Sequence, residues 1–320
     1  MKQKWMVLFL LALLSALGVP AEAARAEKKI GVLMWSEDPA YYETWKGIMD
    51  QLKKEGLVEP LVSISLVNAR GGKAKLSEMA HRFALAKMDV VVTIGTSATI
   101  AAAREIQDRP LVFAYVYDPV ESGIVRKLES SGNNTTGASS GVSMPKVLNY
   151  LQEFSQVRRL AVLYTPGETN SELQLHALQK ALADSHVKVV PVIISREEEV
   201  IPLLQVVVPA VDAIYLSGSR IVSKQVSVIV DMATKARVIT ITHRDDLVDR
   251  GVLLGICANP YLVGRLAGEK IVKVLKGGRP SSIPIGYLSR FDLKLNMKTA
   301  KAGGFRPSPS FMKSVTKLVE

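Results

Sequence analysis

The feature that most constrains this chain is the alternation of short apolar runs with amphipathic segments. IGVLMW (30–35), SISLV (63–67), DVVVTIG (89–95) and LVFAYV (111–116) are each followed by a stretch of helical periodicity or a turn. The runs are continuously apolar, not alternating in polarity, which suits strands covered on both faces of a parallel sheet. Parallel neighbours need long crossovers, and helices predicted at 41–55 and 73–86 supply them. The polar stretch SSGNNTTGASSG (130–141) interrupts the pattern and reads as a crossing. Alternation then resumes, with helices at 145–154 and 171–183 and strands at 159–164, 187–194, 212–216, 237–242 and 252–257. Two βα series joined by a crossing predict two similar α/β lobes. Ligands of such sheets bind beyond the carboxyl ends of the strands, which places a site in the cleft between the lobes.

Composition narrows the function. The chain has 320 residues, ample for a large core, and a net charge of +11 from 41 basic and 30 acidic residues. Its Lys and Arg are dispersed without a basic stripe, so no nucleic-acid partner is expected. A lone Cys257 excludes an internal disulfide framework. His81, His176, His186 and His243 lie far apart, so neither a metal site nor a cofactor is expected. Residues 1–23 combine a basic start, an apolar run and small residues at Ala21 and Ala23, the pattern of a cleavable secretory signal peptide. Export and solubility outside the cytoplasm follow from that reading, with an uncleaved anchor as the alternative.

At the strand ends, Gly95-Thr96-Ser97-Ala98-Thr99 joins a buried strand directly to a helix. Open backbone N–H groups and three hydroxyls make it either a plain helix cap or a pocket for a carboxylate. In the second series the corresponding turn runs from Thr165 to Ser171 and includes Glu168 and Asn170. Asp118, before Pro119, either caps a helix or points a charge at a ligand. Trp35, Tyr41, Tyr42 and Tyr117 lie where an aromatic ring either packs in the core or stacks on a flat ligand. Catalytic signatures are sparse. Gly137 to Gly141 matches G-x-S-x-G around Ser139, but a nucleophile elbow needs a buried strand before the serine, and SGNNTT does not read as one. His243 is the one plausibly placed base for that hydrolase reading. Neither a phosphate-binding P-loop nor a dinucleotide fingerprint is present, and the chain is not expected to be an enzyme.

Several blocks in order resemble the exported substrate-binding proteins of ABC transporters, in the branch that binds tryptophan and related aromatic amino acids. They are GTSAT (95–99), PLVFAYVYDPVESGIV (110–125), NNTTGAS (133–139), YTPGETNS (164–171), DAIYL (212–216) and YLVGRLAGEKIVKVLKGGRPSSIPI (261–285). The resemblance implies a type I periplasmic-binding-protein fold, α/β, with two Rossmann-like lobes joined by three hinge crossings. The lobes would comprise 27–138 with 259–284, and 142–257 with 286–320. By the same resemblance, Ser36, Glu37, Gly95, Thr96, Ser97, Ala98, Thr99, Asp118, Ser139, Ser140, Glu168, Asn170, Ser171 and Ser219 are candidate ligand residues. The implied protein is a periplasmic monomer that captures a small aromatic or carboxylate-bearing molecule for an inner-membrane ABC permease. A ligand-sensing module for a membrane signalling partner is the alternative. One departure stands out: the family resembles Pro-Thr-Asp-Asn after the 212–216 strand, where this chain has Ser217-Gly218-Ser219-Arg220. A base beside the place of an acid favours an anionic or neutral ligand.

Overall fold

A computed structural model describes residues 27–320; the leader predicted at 1–23 lies outside the described residues. In the first lobe the apolar runs form β1 (Lys28–Met34), β2 (Val62–Asn68), β3 (Val90–Ile94) and β4 (Leu111–Val116). They pair in parallel with a fifth strand, β5 (Thr135–Ser139), in the order β2-β1-β3-β4-β5. Every residue of β3, β4 and β5 is buried, as coverage on both faces demands.

Strand β5 corrects the reading of its sequence as a crossing unfit for a buried strand. Threonine is β-branched and fits the pleat, and its buried hydroxyl can be satisfied by a neighbouring segment. Thr136 does this by donating to the Ile283 carbonyl at 2.8 Å. Gly137 lies so close to Phe113 that a Cβ there would stand 2.2 Å from the Phe113 carbonyl oxygen, so a small residue is what lets β5 dock on β4.

The second sheet contains β6 (Arg159–Tyr164), β7 (Lys188–Ile193), β8 (Ala213–Leu216), β9 (Ile239–Thr242), β10 (Leu254–Cys257), β11 (Asp292–Asn296) and β12 (Lys317–Val319). Its order is β12-β11-β10-β9-β8-β6-β7, parallel except where β11 meets β10. The three-residue β12 is too short to carry a legible period.

The chain passes between the sheets after β5, after β10 and before β11. After β10, Asn259 caps the helix Pro260–Leu275, which returns to pack along the helix Pro39–Lys54 of the first lobe. Gly264 permits this approach, since a Cβ there would meet the Thr44 carbonyl oxygen at 2.0 Å. The first and third crossings are bonded to each other. The Ser139 N–H donates to the Gly286 carbonyl and the Gly286 N–H to the Gly137 carbonyl, both at 2.8 Å. Any movement of one lobe on the other must bend these strapped segments together.

Candidate ligand-binding cleft

The carboxyl ends of β1, β3 and β4 face those of β6, β8 and β9 across a cleft with a narrow centre and two roomier flanks. The centre is a slot of about 20 Å³, space for roughly one water. Tyr41, Thr96, Tyr115, Tyr117 and Ser140 approach it from one side, and Asn170, Gln174, Gly218, His243 and Arg244 from the other. One flanking cavity, of about 390 Å³, has Trp35, Leu76 and Ile100 as an apolar floor, with Lys73, Ser97 and Arg104 around it. The other, of about 450 Å³, lies beside Ser36, Glu37, Asp38 and Arg244.

Arg244 ties the lobes together. Asp38 caps the helix Pro39–Lys54 through the Ala40 N–H at 3.0 Å. Both carboxylate oxygens of that Asp38 also accept from the Arg244 guanidinium, at 2.5 and 2.6 Å. Asp246 accepts from Nε and Nη2 of the same guanidinium at 2.9 and 2.7 Å. Burial by itself would lower the Arg244 pKa, but the fields of Asp246 and Asp38 outweigh it and raise the pKa well above the ordinary value. Burial pushes the Asp246 carboxyl up, against the pull of Arg244.

His243 is a fixed neutral wall. The Gln174 carbonyl oxygen accepts the Gly218 N–H at 2.7 Å, which orients the amide and turns its NH₂ toward His243 Nε2 at 3.2 Å. Nε2 is therefore the acceptor, and Nδ1–H donates to the Tyr215 hydroxyl at 2.9 Å. Burial, aided by the neighbouring Arg244 charge, lowers the imidazole pKa to about 3. With both nitrogens engaged, His243 is not a base for Ser139. The Ser139 hydroxyl itself donates to the Tyr117 carbonyl at 3.0 Å and accepts the Gly141 N–H at 3.0 Å.

Opposite His243 stands an aromatic wall. Tyr117 meets the imidazole edge to face at 5.8 Å, and Tyr41 meets Tyr115 likewise at 6.0 Å. Tyr115 has a φ of +58°, at the point where the register between β4 and β5 shifts. A bulge re-aims the side chain it carries, and a non-glycine residue held in left-handed backbone is strain retained where the surroundings over-determine it. Burial raises the Tyr41, Tyr115 and Tyr117 hydroxyls above their ordinary range, so all three remain protonated donors.

The residues singled out in the sequence are placed in three groups. Thr96, Ser140 and Asn170 border the central slot, while Ser36, Glu37 and Ser97 border the flanking cavities. Glu168 lies buried near the slot, where its carboxylate accepts the Arg220 N–H at 2.8 Å; burial raises its pKa against the pull of Arg220, Lys73 and Arg244. The remaining residues turn to the protein itself. Thr99 donates to the Gly95 carbonyl at 2.9 Å, and Ala98 is fully buried. Gly95, with a φ of +99°, is the cap of the helix Thr96–Glu105. Ser171 lies 3.0 and 2.9 Å from the carbonyl oxygens of Thr165 and Glu168. Ser219 caps the helix Arg220–Lys224. Asp118 accepts the N–H groups of Val120 and Glu121, both at 3.0 Å. Tyr115, Gln174 and Arg244 had no signal in the sequence. A bulge, an amide on a helix face and an ion pair between residues 206 apart leave no local pattern.

Two α/β lobes strapped at three crossings, with their strand ends facing across a cleft, define a two-lobed binding protein of the periplasmic kind. More distant solved structures, periplasmic binding proteins and LacI regulators among them, share this fold. The chain belongs to the family of ABC transporter substrate binding proteins, whose model matches residues 29–318. Members of this extracytoplasmic family are binding proteins, not enzymes. A tyrosine-binding protein of Clostridioides difficile (strain R20291) is 27% identical over 282 residues, 87% of this chain and 81% of that protein. An ABC domain from Streptococcus pneumoniae, solved in complex with L-Trp, has 25% identity and a TM-score of 0.87, covering 92% of this chain and 100% of that one. A ligand-free, open substrate binding protein from Clostridium difficile is 28% identical, yet its TM-score is 0.72, over 91% of this chain and 98% of that one. The lower score at higher identity agrees with lobes that stand closed here, as the Asp38–Arg244 pair requires.

Proposed function

We propose that this chain is the periplasmic capture subunit of an ABC importer, released from its signal peptide, and that it closes on a small aromatic solute and hands it to an inner-membrane permease. The observation that carries the ligand class is the cleft centre, where Tyr41, Tyr115 and Tyr117 of one lobe confront His243, Gln174 and Asn170 of the other. Aromatic rings with a few polar groups at fixed positions suit a flat ligand with polar edges. The L-Trp held by the Streptococcus protein and the tyrosine of the Clostridioides protein support the same class. In this reading the moving bodies are 27–138 with 259–284 and 142–257 with 286–320. Thr96, Ser140 and Asn170 touch the ligand, and the slot widens by rotation about the crossings as the ligand enters.

The test is calorimetric titration of the purified monomer with L-tyrosine and L-tryptophan, alongside native mass spectrometry for a retained small molecule. Saturable binding, weakened at least tenfold by Asn170→Ala, is expected. Absence of both binding and a retained aromatic compound would overturn the reading.

A further inference from the structure

We propose that the cavity of about 450 Å³ beside Arg244 is a carboxylate-binding subsite, and that the ligand is an aromatic acid whose carboxylate lodges there against Arg220 and Arg250. The proposal rests on the aromatic reading of the cleft centre and adds the ligand's charge.

Charge pairing singles out these two cations. The cavity is bordered by five basic side chains and three carboxylates. Arg70 is paired with Glu37 at 3.1 Å, Lys224 with Glu197 at 2.8 Å, and Arg244 with Asp38 and Asp246. Arg220 and Arg250 make no ion pair among the described residues. The Arg220 side chain lies over Gly71 of the other lobe, close enough that a Cβ there would be 2.8 Å from its Nε. Arg250 spends one N–H on the Ser223 carbonyl at 2.8 Å and keeps the rest of its donors. Ser223, which also borders the cavity and is 8% exposed, has a hydroxyl with no partner among the described residues. A buried hydroxyl without a partner costs free energy that an acceptor at the site would recover. Two unpaired guanidiniums and an unpaired hydroxyl together describe an acceptor with two oxygens and a negative charge.

The cavity adjoins the cleft centre, because Arg244 borders both. The Arg244 guanidinium is not the anion's partner, since Asp38 and Asp246 already take four contacts from it. Of the cavity's carboxylates, Glu37 is paired with Arg70, whereas Asp38 and Asp246 share Arg244, so the anion's place is on the Arg220 and Arg250 side, away from that pair.

Titration with 3-phenylpropionate, its uncharged amide 3-phenylpropanamide, and inorganic phosphate separates the possibilities. The acid is expected to bind at least tenfold tighter than the amide, and Arg220→Gln and Arg250→Gln should each erase most of that difference while leaving amide binding in place. Arg70→Gln, which removes a guanidinium already paired, should leave the preference within twofold. Thermal denaturation of each variant verifies folding, and a second pair of variants, Arg220→Lys and Arg250→Lys, should retain part of the preference. Equal binding of acid and amide, or a preference untouched in both Gln variants, would overturn the carboxylate subsite while sparing the aromatic reading. Binding of phosphate as tight as the acid would reduce the cavity to a free-anion site and overturn the aromatic acid. Failure of every aromatic compound, L-tyrosine and L-tryptophan included, would overturn the reading on which the proposal rests.

Discussion

The turn after β3 and the turn after β6 occupy equivalent places in the two lobes and face each other across the cleft, yet the second is tied by more side-chain hydrogen bonds than the first. At Gly95 to Thr99 one hydroxyl bond, Thr99 on the Gly95 carbonyl, lies within the turn, and the turn's shape is set by a glycine pressed against Tyr41. At Thr165 to Ser171 side-chain bonds are more numerous: the Ser171 hydroxyl on the Thr165 carbonyl within the turn, and, to neighbouring segments, the Thr165 hydroxyl on the Ile194 carbonyl at 2.8 Å and Asn170 on the Gly218 carbonyl at 2.8 Å. A turn tied by many side-chain bonds is a stiff wall, whereas one with fewer ties can rearrange to suit a ligand. The difference explains why equivalent sequence positions deserve different roles.

The sharpest way to break this contrast is Gly95→Ala. The φ of +99° is unfavourable to any side chain, and the added Cβ would lie 2.6 Å from the Tyr41 hydroxyl oxygen. Backbone strain of roughly 1–3 kcal/mol and crowding of similar size predict a loss of about 2–4 kcal/mol in urea denaturation. Gly167→Ala, at a φ of +78°, meets the Lys73 amino group, the far end of a flexible chain that can swing aside. Its cost is about 1 kcal/mol, and equal losses in the two variants would mean that the first turn is no more dependent on its surroundings than the second.

Hydroxyl deletion reverses the order of the lobes. Ser171→Ala leaves the Thr165 N–H, which the hydroxyl accepts at 3.2 Å, without its buried partner, and should cost roughly 1–3 kcal/mol. Ser97→Ala removes a hydroxyl that borders a cavity and should stay within about 0.5 kcal/mol. Comparable losses would show that the first turn, too, is held by its side chains.

How far this contrast was legible in the sequence follows from what each signal records. Continuous apolar runs marked the parallel strands of both sheets because burial on two faces leaves a composition that can be counted. The polar β5 escaped, since Thr135 to Ser139 is small and its Thr136 hydroxyl is satisfied by Ile283, a partner far along the chain. The turns at 95–99 and 165–171 were found because glycine, hydroxyl and amide residues cluster after strands, but their partners are distant in the chain. Glu168 on the Arg220 N–H and Thr165 beside Ser219 at 2.7 Å each join the second turn to the segment after β8. Nothing local to either segment announces that meeting. Arg220 was noticed as a base near the place of an acid, while Arg250, some thirty residues on, carried no signal at all.

Acidity sharpens the comparison on the side of the second lobe, where His243 is buried neutral. Its folded-state pKa, about 3, lies below the ordinary value of 6.5, so the folded state refuses a proton that the unfolded chain accepts. The associated stability is fully present above pH 6.5 and is lost as pH falls toward 3. The slope is about 1.4 kcal/mol per pH unit for one proton. Denaturant midpoints at pH 6, 5 and 4 should therefore fall more steeply in the natural chain than in His243→Gln, which keeps an amide beside Tyr215 and carries no titration. Parallel slopes would show that the imidazole protonates in place.

Asp118 carries a small expected effect and separates the two roles its sequence position leaves open, turn-former or ligand contact. Its carboxylate accepts the Val120 and Glu121 N–H groups, both at 3.0 Å, and it borders neither the central slot nor either flanking cavity. A carboxylate engaged by two backbone donors stabilises the turn as a helix cap does, so Asp118→Ala should cost about 1 kcal/mol. Asp118→Asn keeps an acceptor oxygen at the same position and should recover most of that loss. Affinity for an aromatic ligand should remain within twofold in both variants, because the turn lies outside the cleft. A tenfold loss of affinity in Asp118→Asn with stability retained would instead place this charge on the ligand. It would make the fourth strand of the first lobe, rather than the third, the counterpart of the turn after β6.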